Sequence, residues 1–155
     1  MAIYTGTKGY VGLRNVGSYQ VSGTPWITGS ANLDTAKVHM VEFPHVSKSF
    51  TVINTNSTGS FRVHFQSGSA TAVSTPGEWG AQTSAASDDV IAGYHYITVP
   101  EGHAAVTFDV KCKRFYVSNL SGLSNLTYQV WAELTQIPTN SMFNLTGSGI
   151  TLTTG

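Results

Sequence analysis

Five histidines (His39, His45, His64, His95 and His103), one cysteine (Cys112) and eight acidic residues are the groups from which a catalytic or metal centre could be built in this chain. The densest grouping is His39, Glu42 and His45. Metal ligands must converge on one point, but His39 and Glu42 point to opposite faces of a strand and Pro44 interrupts any helix, so no metal site is expected there. His64 follows Arg62 on the polar phase of a strand and reads as a solvated or interfacial side chain. Lys111, Lys113 and Arg114 would lower the pKa of a reactive Cys112. The thiol, however, shares the apolar phase of Val106, Phe108 and Val110, which makes it core packing instead. Glycosidic hydrolysis needs two carboxyl groups held across a cleft, and nothing in the spacing of Glu101 and Asp109, or of Asp88 and Asp89, provides that.

The motifs that carry group-transfer chemistry are missing as well. There is no Gly-x-Gly-x-x-Gly, no P-loop, no Gly-x-Ser-x-Gly elbow and no His-Glu-x-x-His, and the tail Thr146-Gly147-Ser148-Gly149 lacks the lysine of a phosphate cradle. Asn-x-Ser/Thr triplets at Asn56, Asn119, Asn125 and Asn144 read as turns, since a chain this rich in Ser and Thr makes them by chance. No catalytic residue, metal ligand or cofactor site is assigned, and the expectation is a protein that is not an enzyme.

The elements that would position such groups are short and extended. Phe61, Val63 and Phe65 alternate with Arg62 and His64. Val106, Phe108 and Val110 alternate with Thr107 and Asp109, and the even residues from Leu126 to Leu134 are apolar. Ala36–Phe43, Ser49–Asn54, Tyr94–Val99 and Phe115–Ser118 add further runs, bounded by turn residues. Residues 49–66 read as a hairpin turning on Asn54–Ser60. Residues 67–92 lose all period and read as a long exposed loop, and Pro138 ends the last run. No window carries a capped 3.6-residue period. The expectation is roughly seven to nine strands in an antiparallel β-sandwich, jelly-roll-like, with an immunoglobulin-like topology as the alternative.

With 155 residues a single domain is expected, large enough to bury a core without disulfide or metal. Residues 1–35 carry Gly or Pro every few positions, with Tyr4, Tyr10, Tyr19 and Trp26 between them. Either this is an extended arm whose aromatics anchor an assembly interface, or it adds one or two edge strands to the sandwich. The first reading divides the chain into an arm, 1–35, and a sandwich, 36–155. Eight basic residues balance eight acidic ones without runs, which removes the electrostatic footprint of nucleic-acid binding. No apolar run approaches the ~20 residues of a membrane span, and the N-terminus lacks a signal peptide's pattern, so a cytoplasmic origin is expected. Charged residues are only 10%, against about 25% in an ordinary soluble domain. A neutral, hydroxyl-rich surface with few charges favours association.

Glu42-Phe43-Pro44-His45-Val46, Val52-Ile53-Asn54, Arg62-Val63-His64-Phe65, His95-Tyr96-Ile97 and Phe108-Asp109-Val110-Lys111-Cys112-Lys113 carry a resemblance. So do Val130-Trp131-Ala132-Glu133-Leu134-Thr135-Gln136-Ile137-Pro138 and the stretch Met142–Ile150. Over roughly residues 36–152 the chain resembles small virion structural proteins of tailed bacteriophages, marine ones in particular. The resemblance implies a non-enzymatic capsid decoration, cement or vertex protein, or a fibre or tail component, assembled in the host cytoplasm and resident in the virion. Its partners would be itself, as a trimer or pentamer, and the major capsid protein or another virion protein, with neither nucleic acid nor membrane. The alternative is a carbohydrate- or receptor-binding module of the same particle, with Trp79, Asp88 and Asp89 as the sugar contacts.

Overall fold

The computed structural model describes residues 12–65, 78–81, 96–119, 121–143 and 145, with the backbone alone for 78–81. Its period-two runs form nine strands: β1 (Thr24–Leu33), β2 (Lys37–Glu42), β3 (His45–Asn54), β4 (Phe61–His64), β5 (Glu78–Ala81), β6 (Ile97–Val99), β7 (Ala105–Phe108), β8 (Arg114–Ser118) and β9 (Leu126–Pro138). One helical turn, α1 (Gly17–Gln20), precedes them, and a 3-10 turn at Thr139–Ser141 follows Pro138. The strands form two antiparallel sheets, ordered β1-β9-β3-β7 and β5-β2-β8-β4-β6.

This order is a jelly roll. The pairs β1·β9, β2·β8, β3·β7 and β4·β6 nest one inside the next, as in a long hairpin folded across two sheets into two Greek keys. Among the described residues no two consecutive strands are neighbours in either sheet, unlike the immunoglobulin alternative, where several are. β5 is an addition between β4 and β6 that pairs with the outer edge of β2.

The expected hairpin at 49–66 is therefore an arch. β3 and β4 lie in different sheets, because Phe50 and Val52 turn inward from one sheet while Phe61 and Val63 turn inward from the other. The intervening turn spans the ~10 Å between stacked sheets. Asn54, fully buried, holds it: its Nδ2 donates to Gly59 O (2.9 Å) and Val99 O (3.3 Å). Its Oδ1 accepts from the backbone N–H and side-chain Nδ2 of Asn56 (3.0 and 2.7 Å). Gly59 has φ +95°, and a Cβ there would lie 2.7 Å from Leu126 Cδ2, so only glycine fits.

Two further expectations change. The loop 67–92 contains β5; the rest of it lies outside the described residues. Residues 24–33 join the sandwich rather than an arm, because β1 pairs with β9 from Thr24↔Leu134 to Ser30↔Tyr128. Despite its Gly and Pro, β1 turns Trp26 inward, edge-on to Phe43 with ring centroids 5.1 Å apart. That burial of a large aromatic outweighs poor strand propensity.

The core is aromatic at its centre. Phe50 stacks between Phe115 of the opposite sheet (4.5 Å) and Phe108 of its neighbour strand (4.9 Å). A smaller cluster of Val46, Ile137 and Met142, with Leu13 and Tyr19 packed on it, is separate from this centre.

Candidate functional site

Two outer faces could carry function, and they differ in exposure. On the five-stranded sheet the rows Val38↔Ser118↔Arg62↔Thr98 and Met40↔Tyr116↔His64 point away from the core. Val38, His64, Tyr116 and Ser118 are nevertheless at most 5% exposed. His64 stacks flat on Tyr116 (5.6 Å, 11°), and the Arg62 guanidinium lies 4.2 Å from the centre of the Tyr96 ring. His64 is thus buried rather than solvated. Alternation showed which face it takes, whereas its cover comes from residues distant in sequence.

The four-stranded sheet has the open face. Register aligns Ile27↔Trp131↔Thr51↔Thr107 in one row across all four strands, with Gly29↔Gln129↔Ile53↔Ala105 beside it. Ile27 is 75% and Trp131 42% exposed. Polar groups border them: the Thr51 and Thr107 hydroxyls share a hydrogen bond of 2.8 Å, Ser49 Oγ donates to Glu133 Oε2 at 3.2 Å, and Lys48 Nζ stands 3.8 Å from that oxygen. A neutral face with an apolar centre and a polar border can hold an apolar or amphipathic surface. Sequence reasoning missed Trp131, although the signal was present: within Leu126–Leu134 it occupies the polar, odd phase.

Of the residues singled out from the sequence as interface or sugar contacts, Tyr19 and Trp26 are those whose side chains lie among the described residues. Tyr4, Tyr10, Asp88 and Asp89 lie outside the described residues, and Trp79 is placed only by its backbone, in β5 on the β2 edge. Tyr19 folds back onto its own domain: its hydroxyl donates to Leu13 O (3.0 Å), Lys111 Nζ sits 4.1 Å from its ring centre, and burial raises its pKa. Trp26 packs on Phe43, so each of these two half-buried aromatics has apolar contacts within the chain.

Two of the chemistry-bearing groups, His39 and Cys112, are absorbed by packing. His39 faces the core, its Nδ1 3.1 Å from the Tyr128 hydroxyl, while Glu42 and His45 are exposed. Among the described residues no three His, Cys, Asp or Glu side chains gather as metal ligands would. Cys112 is fully buried against Ser47, whose hydroxyl is 3.4 Å from the sulfur and accepts from the Cys112 N–H at 3.1 Å. Burial pushes its thiol up to about 11, with the Ser47 hydrogen bond only partly opposing that, so little thiolate forms at neutral pH.

The chain matches no known protein family, no curated protein and no solved structure.

Proposed function

We propose that the protein is a non-enzymatic structural component of a bacteriophage particle, a capsid decoration, cement or vertex protein that acts by self-association and by contact with the shell. One observation carries the reading: the row from Ile27 to Trp131 exposes apolar surface on the open face of the four-stranded sheet, in a chain whose charged residues are only 10%. Exposed apolar surface with a polar border is the composition of contact sites. Hydrogen bonds between neutral hydroxyls barely weaken with salt, which suits a particle in saline media. The jelly roll recurs in capsid proteins and supports the reading as a fold-level analogy alone. Antibody against the chain should label the heads of phage particles purified from the source culture. Absence of the chain from purified particles would overturn the reading.

A second reading, a carbohydrate- or receptor-binding module of a fibre or tail, is favoured by the half-exposed Trp131 beside Gln129 and Thr51, since an indole stacks on sugar rings while neighbouring amides and hydroxyls bond their hydroxyls. Trp79, Asp88 and Asp89 remain its other candidates. Binding on a glycan array that is lost in Trp131→Ala or Trp79→Ala would replace the first reading with this one; a blank array removes it.

A further inference from the structure

The sheet edges are unequal. β6 and β7, two of the four edges, have three and four residues, and β5, a third, is described over Glu78–Ala81. Shortness is a common protection of an edge against strand addition. β1, the fourth edge, has ten residues and, among the described residues, one neighbour, β9. A strand with a single neighbour leaves the N–H and C=O of alternate residues pointing outward. Its interruptions lie near its ends: Pro25 near the start, and a register shift between Ser30 and Leu33. Trp26–Ser30 is regular, and no charged residue occurs from Gly23 to Leu33, although charge is the usual guard of a long edge.

We propose that β1 pairs antiparallel with β1 of a second copy of the chain, across a two-fold axis at Thr28, joining the two four-stranded sheets into one of eight strands. The inference rests on the reading of the protein as self-associating. An uncharged strand can meet itself without setting like charges opposite each other. About this axis Thr28 faces the partner's Thr28, Ile27 faces the partner's Gly29, and Trp26 faces the partner's Ser30. Both outer pairs set a large side chain against a small one, and alternation keeps outward residues with outward and inward with inward.

Gly29 has its own reason to lack a side chain, since a Cβ there would lie 2.7 Å from the Tyr128 carbonyl oxygen. The gap this leaves on the open face is what Ile27 of the other copy covers. Ile27, 75% exposed in the single chain, gains a neighbour on its free side and extends the row that begins at Trp131. Such a contact uses the same patch on both copies, so it closes as a dimer; a ring of three or five requires a different, head-to-tail contact.

The test uses the full-length chain in three forms: unaltered, Ile27→Lys and Thr28→Cys, with Thr51→Cys as control. Cys112 is buried and does not compete as a thiol. Sizing by light scattering should give a dimer. Ile27→Lys, which changes an outward side chain, should weaken dimerisation by about tenfold or more, as a charge on an edge does, with unchanged circular dichroism. Thr28→Cys should form a reducible cross-linked dimer on mild oxidation, and Thr51→Cys should not. A dimer, trimer or pentamer that ignores Ile27→Lys and gives no Thr28→Cys cross-link overturns the edge pairing and leaves the assembly reading standing. A monomer at every concentration also overturns it, and the labelling of purified particles then decides the assembly reading separately.

Discussion

Cys112 illustrates how surroundings determine what a reactive residue does. Three basic neighbours in sequence would favour the thiolate, yet the sulfur sits in the core beside Ser47, and desolvation dominates. The folded protein keeps the thiol proton to about pH 11, whereas the ordinary value is 9.0. The unfolded chain therefore releases it first. The thiol's contribution is fully present below pH 9 and is lost as the pH rises towards 11. By pH 10 the loss amounts to about 1.4 kcal/mol. Urea unfolding at pH 8 and at pH 10 should show this drop, and Cys112→Ala, although less stable at both, should show a smaller one.

At the scale of elements, two buried asparagines do the work a hairpin turn would otherwise do. Asn54 ties the β3–β4 arch to β6. Asn119 donates to Leu33 O (2.9 Å) and Leu123 O (2.7 Å) and accepts from the N–H and hydroxyl of Ser121 (2.9 and 2.7 Å), tying the β8–β9 connection to the end of β1. All four hydrogen-bonding positions of each amide are used. Replacing either with alanine strands buried carbonyl oxygens, and each variant should lose about 2–3 kcal/mol in chemical denaturation. Asn56→Ala, in the same turn but half-buried, should lose less. The triplets at Asn56 and Asn119 are thus part of the turns, as their composition suggested, and Asn119 is fully buried. The same scale explains the open edge: β1 is long because β9, its thirteen-residue partner, is long, and no charged residue of β1 guards the side that has no neighbour among the described residues.

For the whole molecule, the nested strand order has a kinetic consequence. β1 pairs with β9 and β2 with β8, so about half to two thirds of the chain must be closed into a loop before the outer pairs gain their contacts. Such a topology folds slowly compared with helical proteins of similar size. Refolding from urea followed by tryptophan fluorescence should take milliseconds to seconds. A refolding phase in microseconds would contradict the nested order. The exposed Ile27 and Trp131 belong to this scale too, because they become one surface only when β1 and β9 are neighbours.

What the sequence alone determined was the class of the fold and the phase of the strands whose residues alternate. Alternation in Phe61–Phe65 and Leu126–Leu134 assigns inward and outward residues because successive side chains point to opposite faces whatever lies beyond them. The absence of familiar catalytic motifs was equally legible. Pairing was not, because a period of two names a face and never a neighbour: the runs at 49–54 and 61–65 look the same whether they form a hairpin or an arch. Only the tertiary structure decided that β1 joins the sandwich, that Tyr19 and Trp26 pack on their own domain, and that His64 is covered while Trp131 is open. Each of these outcomes depends on a contact between residues far apart in the chain, formed where two sheets close on one core.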